Sequence, residues 1–290
     1  MLTGRGKPAA LMIGPAVLFQ LLIVSYPLVL CLIASFQNYS LLSPGSAKFI
    51  GFRNYLTMAR DTSVLHSLAV SGKFVLCSVV LSTLLGLLSG LLLSSNKRMI
   101  GVFRSLFIIP MMITPAVTAL MWVQLWHTRY GAINAILAGV GISAVNWLGN
   151  PGTALFAIII SDVWQWTPFV CLIVVAGFQS LPTEVFEASV VDGVNGAQQF
   201  FLITLPLLMP FLGTAILFRI VYSLRVYELA WIQTWGGPGN STELMSIRVA
   251  IKAFTDLKIG QSSALSILLL IVVTILTTVL YRLVFSPRQR

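Results

Sequence analysis

Charge is what this 290-residue chain has least of: only 9% of its residues are Asp, Glu, Lys or Arg, against roughly 25% in an average soluble domain. A soluble globule of this length needs a polar surface to stay in water, so the shortage argues against one. The three cysteines and two histidines form no cluster and leave no metal-ligand set. Cys31, Cys77 and Cys171 each sit in a different apolar stretch and read as small buried hydrophobes, while His66 and His127 stand alone. No G-x-x-x-x-G-K-[ST] loop is present, so energy for any active process comes from another chain or an ion gradient. There is also no H-E-x-x-H and no G-x-S-x-G, which leaves little room for an intramembrane enzyme. The 18 basic residues outnumber the 8 acidic ones, but they are scattered in short segments and make no continuous face for nucleic acid. Such an excess fits anionic lipid and membrane orientation instead.

What the chain does have is apolar length, with 57% hydrophobic residues. A spanning helix needs about 20 mainly apolar residues, and six segments qualify: 9–36, 65–94, 103–126, 153–178, 205–231 and 262–285. The predicted fold is therefore an all-α integral membrane protein, one transmembrane domain over 1–290 with six transmembrane helices. Arg5 and Lys7 precede a first run too long for a secretory signal core, so that run reads as an uncleaved span, kinked locally at Pro15 and Pro27. The fifth span is uncharged only over 205–218, and must carry Arg219, Arg225 and Glu228 to cross. With the N-terminus inside, Arg5, Lys7, Lys97, Arg98, Arg104, Arg282, Arg288 and Arg290 are cytoplasmic. The opposite loops hold Lys48, Arg53, Arg60, Arg129, Arg248, Lys252 and Lys258, so both termini are placed in the cytoplasm only by a narrow margin. Trp126, Tyr130 and Trp231 at span ends fit interfacial belts.

The segment 179–204 between the fourth and fifth spans carries the densest local signals. Pro182 suits a first helical turn, and Glu184 and Glu187 suit the positive end of the helix that follows. Gly193 can end that helix, and Asn195-Gly196 permits a turn into a second short helix over 197–202. The product is a helix-turn-helix at the membrane surface. Val185, Phe186, Ser189 and Val190 line one side of its first helix, ready to dock into a groove on a partner.

This segment resembles the signature loop of permease subunits in binding-protein-dependent ABC importers. That pattern is Glu-Ala-Ala, three residues, Gly, nine residues, then Ile-x-Leu-Pro. Here Glu187-Ala188-Ser189 is followed by Gly193 and by Ile203-Thr204-Leu205-Pro206, with Ser189 in place of the second Ala as the departure. Two further segments resemble the carbohydrate branch, of the maltose and glycerol-phosphate type. The run from Asp162 to Pro168 carries a Trp-x-x-Thr-Pro pattern, and the run from Trp235 to Thr242 carries a Gly-Gly-Pro loop. The resemblance implies that Glu184, Glu187, Ala188, Ser189, Asp192, Gly193, Ile203, Leu205 and Pro206 form a cytoplasmic coupling loop docked on an ATPase subunit. Glu187 then faces a basic residue there. It implies that Gly236, Gly237 and Pro238 face an external solute-binding protein. A second, homologous permease and two ATPase subunits complete the assembly in a bacterial inner membrane. ATP and Mg belong to those ATPases, and this chain holds no cofactor and no metal. The implied function is import of a sugar or sugar-derived solute by alternating access.

A charge at bilayer depth normally faces protein or a water-filled cavity. Arg219, Tyr222 and Arg225 recur at helical spacing on one face of the fifth span, with Glu228 three residues further, and that face is the candidate path. Two readings of the outer pair stand: Arg225 and Glu228 line the path, or they pair with each other near the outer interface. Asp162 is either the partner of Arg219 or a polar contact in the outer leaflet. Trp122 and Trp166, with Trp126, Trp164, Gln124 and Gln165 nearby, suit sugar rings and hydroxyls, or anchor the spans at the interface. The competing function is an ion-coupled secondary transporter, with an intramembrane enzyme third. A secondary transporter works alone on an ion gradient, whereas the importer needs ATP and three other kinds of protein.

Overall fold

The computed structural model describes residues 6–43, 45, 47–95 and 100–285. Arg5, Lys97, Arg98, Arg288 and Arg290, on which the orientation reading leans, lie outside the described residues. The helices in chain order are α1 (Gly6–Ser35), α2 (Arg53–Arg60), α3 (Thr62–Ser95), α4 (Ile100–Met112), α5 (Pro115–Leu125), α6 (Ala132–Gly139) and α7 (Pro151–Gln179). They continue with α8 (Thr183–Val191), α9 (Gly196–Gln199), α10 (Leu205–Ser223), α11 (Glu228–Thr234), α12 (Met245–Ala250) and α13 (Ile259–Phe285). Backbone contacts divide the chain, expected to be one domain, into two compact units: Met1–Leu65 with Arg248–Val272, and His66–Ile247 with Val273–Arg290.

In the first unit α1 runs unbroken through Pro15 and Pro27, ~45 Å of helix against a hydrocarbon core of ~30 Å. Its most apolar window buries none of its side chains within the protein, so this helix offers its surface to lipid or to another chain. The carbonyls that a helix leaves free at its C-terminal end need outside donors. Asn54 Nδ2 supplies one to Ser35 O at 2.8 Å and also donates to Gln37 O, just beyond the helix, at 2.9 Å, while Tyr55 OH donates to Ser35 Oγ at 2.7 Å. A two-residue ladder, β1 (Gln37–Asn38) against β2 (Lys48–Phe49), follows α1. The Leu257 carbonyl accepts from Leu41 N at 2.9 Å and from Ser40 Oγ at 3.2 Å, which ties the two segments of the unit together. Asp61 accepts from Ser63 N at 2.9 Å at the start of α3. Partial burial pushes the Asp61 carboxyl up, but the Ser63 N–H with the nearby Lys252 and Arg248 charges outweighs it and holds the group below its ordinary range.

The second unit is built around α7. Asn150 caps this helix by accepting from Gly152 N at 2.9 Å, and Pro151 occupies its first turn. One side of α7 packs Val170 and Val174 against Leu208, Leu212 and Ala215 of α10. Another packs Ala157 against Trp122 and Trp126 around α5. The same two valines meet α3 so closely that a Cβ on Gly86 would lie 2.5 Å from Val170 Cβ, and one on Gly90 2.6 Å from Val174 Cγ1. Glycine at these two positions lets the helices approach at van der Waals distance, which drives association where lipid removes the hydrophobic difference.

Five described helical segments are long and apolar enough to cross a membrane, and α4 with α5 makes a sixth if a pair bent by 101° counts as one span. The expected continuous helix over 103–126 is thus corrected to a broken one. Thr114, preceding Pro115, is forced to extended backbone at ψ 146°, and Gln165 Nε2 of α7 donates at 2.8 Å to the Ile113 carbonyl at the break. The expected fifth span, 205–231, is shifted: the apolar helical segment is Gly196–Ser223, and α11 begins anew at Glu228. The second short helix expected over 197–202 is the foot of this span, since α9 passes through a π-helical turn, Phe200–Thr204, directly into α10. Cys171 is buried as expected, but Cys77 is exposed.

Leucine in place of Gly90 should overpack the α3–α7 contact and cost about 1–3 kcal/mol. The melting temperature of the detergent-purified chain should fall for Gly90→Leu and hold for Gly72→Leu, a site on the same helix where an added Cβ meets nothing within 4 Å. Equal melting temperatures would show that the close approach contributes nothing.

Candidate functional site

The hairpin between α7 and α10 is closed by local chemistry at each turn. Helix α8 ends in a Schellman motif: Gly193, at φ +73°, donates to Val190 O at 3.1 Å, and Val194 N donates to Ser189 O at 3.0 Å. Any side chain at Gly193 would strain this left-handed turn. Asn195 then makes a reciprocal capping box with Gln198 at the start of α9, with bonds of 2.9 and 3.1 Å. Gln199 Nε2 donates to Ser189 Oγ at 2.8 Å and joins the two arms. Ser189 is buried, while Glu184, Glu187, Ala188, Asp192, Gly193 and Pro206 are exposed and Ile203 and Leu205 half-buried. Glu187 and Val190 line a pocket of about 450 Å³ with Phe178 and Phe186. No ion pair joins Glu184, Glu187 or Asp192 to another described residue.

Deeper in the second unit, Arg219 of α10 places Nη2 2.5 Å from Asp162 Oδ2 of α7, both side chains fully buried. Its Nε donates to Ser82 Oγ of α3 at 3.0 Å, and its guanidinium carbon lies 5.8 Å from the Trp166 ring centroid. The Trp166 ring in turn lies 3.9 Å from that of Tyr222. Of the two readings for Asp162, the structure takes the ion pair with Arg219.

The shared face expected for Arg219, Tyr222 and Arg225 is corrected. Helix α10 ends at Ser223, so Arg219 points inward while Arg225 lies beyond the helix end and is exposed, as is Glu228. Arg225 and Glu228 form no described ion pair with each other. The break is held by Ser246 Oγ, which donates to the carbonyl of buried Val226. Ending the helix there leaves both charges outside the packed core, where burial would be costly. Trp122 and Trp126 are not span-end anchors either: both are buried in an aromatic cluster with Trp164 and Trp147, and Trp126 Nε1 donates to Ser161 Oγ at 3.3 Å.

The Gly-Gly-Pro loop is pinned by residues that sequence reasoning passed over. Buried Thr242 donates from Oγ1 to Gly237 O at 2.7 Å and shares a 2.7 Å hydroxyl contact with Thr234. Buried Glu243 accepts from Ser67 Oγ at 2.9 Å, and His66 Nε2 lies 3.0 Å from Asn240 O. A polar run, Asn240-Ser-Thr-Glu243, one residue after Gly-Gly-Pro is the signal that could have marked this anchor.

A family model described as binding-protein-dependent transport system inner membrane component matches residues 82–290. The trehalose/maltose transport system permease protein MalF of Thermococcus litoralis is 38% identical over 231 residues, covering 80% of this chain and 78% of its own. The sulfoquinovosyl glycerol transport system permease protein SmoG of Agrobacterium fabrum is 30% identical over 276 residues, covering 95% and 90%. A chain of the solved bacterial alginate ABC transporter, in complex with alginate pentasaccharide-bound periplasmic protein, matches at TM-score 0.85 over 98% of this chain and 96% of its own. At 17% identity that likeness is one of fold.

Removing one member of a buried ion pair strands the other charge and costs about 3–5 kcal/mol, whereas replacing both by apolar residues is often neutral. Asp162→Leu should therefore lower the melting temperature and folded yield of the purified chain sharply, and Asp162→Leu with Arg219→Met should recover most of the loss. Additive losses in the double variant would show that the two side chains are not coupled.

Proposed function

Because the chain belongs to the family of binding-protein-dependent transport system inner membrane components, we propose that a sugar or sugar-derived solute is the cargo it passes across the membrane. It is a permease subunit of an ATP-binding-cassette importer and not an enzyme. The cargo reading is supported by relatives whose substrates are trehalose, maltose and sulfoquinovosyl glycerol. An external binding protein delivers the solute to the Gly236-Gly237-Pro238 loop, and both termini and the α7–α10 hairpin lie in the cytoplasm. A second, homologous permease completes the path as a heterodimer. Two ATPase subunits hold ATP and Mg, while this chain holds no cofactor.

The observation that carries the mechanism is that the hairpin joins two helices which the Asp162–Arg219 pair also ties within the bilayer. Force applied at exposed Glu187, through a basic residue of an ATPase cleft, is passed by Gly193 and the Ser189–Gln199 bond into α7 and α10 together. Closure of the ATPase pair then swings these helices between inward and outward openings. Asp162, Trp166, Arg219 and Tyr222 stand nearest that path, with Trp122 behind them and Arg225 and Glu228 at the α10–α11 break.

The test is reconstitution of the chain with its permease partner, ATPases and binding protein in liposomes. Uptake should require ATP and loaded binding protein, and uptake by this chain alone on an ion gradient would overturn the reading. Truncating one partner of a docked charge pair typically costs about 2–5 kcal/mol, so Glu187→Ala should lower uptake at least about tenfold. Gly193→Leu should do the same by straining the turn, with the chain still inserted. Wild-type coupling of hydrolysis to uptake in both variants would remove the hairpin from the mechanism.

A further inference from the structure

The apolar window of α1 covers Ile13–Ser35, 23 residues or ~35 Å of helix, against a hydrocarbon core of ~30 Å. Ser35 therefore stands at the edge of the bilayer, and whatever is bonded to it stands there too. Asn54 and Tyr55 of α2 make those bonds, to Ser35 O and to Ser35 Oγ. The Phe36 ring, next in the chain, packs against Phe52 at 5.3 Å, Tyr55 at 5.5 Å and Phe49 at 6.4 Å between centroids. Two hydrogen bonds and an aromatic cluster thus clamp α2 to the end of a membrane span, at the depth where aromatic belts collect.

The two sides of α2 differ in chemistry. Asn54 and Met58 are buried and Tyr55 half-buried on one. The other shows Phe52 at the N-cap, 68% exposed, and Leu56, 60% exposed. Phe52, Leu56 and Arg60 follow at four-residue spacing, and Arg53 starts the adjoining row. In β2, Phe49 and Lys48 are exposed as well. No ion pair joins Lys48, Arg53 or Arg60 to another described residue. Asp61, next in the chain, is taken by Ser63 N at 2.9 Å and Lys252 Nζ at 3.8 Å. An apolar stripe flanked by three unpaired bases is the pattern of a helix lying in the headgroup layer, where apolar side chains reach the acyl boundary and bases meet anionic lipid. Because α1 buries none of its apolar window within this chain, apolar surface passes through Phe36 from the span to Phe49 and Phe52. The bilayer is the partner already at that depth.

We propose that α2 with β2 is a docking surface for an anionic phospholipid of the bilayer, in the leaflet where α1 ends. Phe49, Phe52 and Leu56 enter the upper acyl layer, while Lys48, Arg53 and Arg60 hold the headgroup phosphate. Each guanidinium fork can take two phosphate oxygens, and the lysine adds a point charge. Through Asn54, Tyr55 and Ser35 the bound lipid fixes the height of the C-terminal end of α1. This binding needs neither solute nor ATP.

In the test, the full chain sits in phosphatidylcholine nanodiscs and carries a fluorophore on Ala59→Cys, an exposed position of α2, with Cys31→Ala, Cys77→Ala and Cys171→Ala removing background labelling. Lipids bearing a nitroxide near the headgroup should quench the fluorophore, and aqueous iodide should not. Nitroxide phosphatidylglycerol should reach half-maximal quenching at a roughly tenfold lower concentration than nitroxide phosphatidylcholine. Lys48→Gln with Arg53→Gln and Arg60→Gln should abolish that preference. The charge-keeping set Lys48→Arg, Arg53→Lys and Arg60→Lys should retain most of it, and salt at about 1 M should shrink it. In phosphatidylcholine alone the melting temperature should be the same for all three chains, since the substituted side chains are exposed. Quenching by iodide and not by lipid, or an undiminished preference for phosphatidylglycerol in the glutamine set, would overturn the proposal. So would loss of lipid quenching when loaded binding protein is added to the complete transporter, because the face would then be a protein-docking surface.

Discussion

The arrangement of the second unit depends on a carboxylate and a guanidinium that have both left water. Arg219 and Asp162 are fully buried, and taking two such charges out of solvent costs several kcal/mol each unless geometry and further hydrogen bonds offset it. The Ser82 hydroxyl and the Trp166 ring supply part of that offset. Since the three residues that meet Arg219 come from α3 and α7, and Arg219 itself from α10, one cluster fixes three membrane helices at a single depth. A slip of α7 or α10 would strand a charge, and a slip of α3 would take the Ser82 hydroxyl from the guanidinium, so the cluster acts as a register pin as much as a source of stability.

That pin gives the surface hairpin its mechanical meaning. α7 and α10 are joined twice, once by the ion pair and once by the chain itself. The hairpin between them contains few soft points: a Schellman turn, a capping box and the Ser189–Gln199 bond account for its bends. Ser189 illustrates how a small change can be absorbed. It stands where the family pattern has alanine, and its hydroxyl, instead of being left unpaired, receives Gln199 and donates to Phe186 O at 2.7 Å. The tight contacts of Gly86 and Gly90 on α7 complete the same packed body. By contrast, α1 shows an apolar surface that nothing within its unit covers, as befits a helix whose neighbours are lipid or other subunits.

Much of this was legible from residue order. Apolar length marked the crossing segments because a bilayer demands about 20 apolar residues whatever surrounds them. The hairpin was legible because Pro182, Gly193 and Asn195-Gly196 act on their own backbone within a few residues. The same local logic was available, though not used, for the break before Pro115 and for the capping box of Asn195 and Gln198. Where the expectation erred, the cause lay beyond the local window. The fifth span was carried to Trp231 to include Arg225 and Glu228, but the helix gains its length at the other end, from Gly196, and Ser246, twenty residues away, bonds the Val226 carbonyl at the break that follows Ser223.

Residue order is enough to make this a helical membrane protein with an acidic, glycine-broken hairpin between two crossings, because periodicity, capping and turn chemistry are encoded within one or two turns of chain. It took the packing of distant helices to bring Asp162 to Arg219 across 57 residues, to make Trp122 and Trp126 core rather than interface, and to leave Trp235 exposed in a left-handed turn. Those outcomes depend on which faces of distant helices come together, and a buried charge or a displaced ring is stable only when partners remote in the chain arrive at the same point.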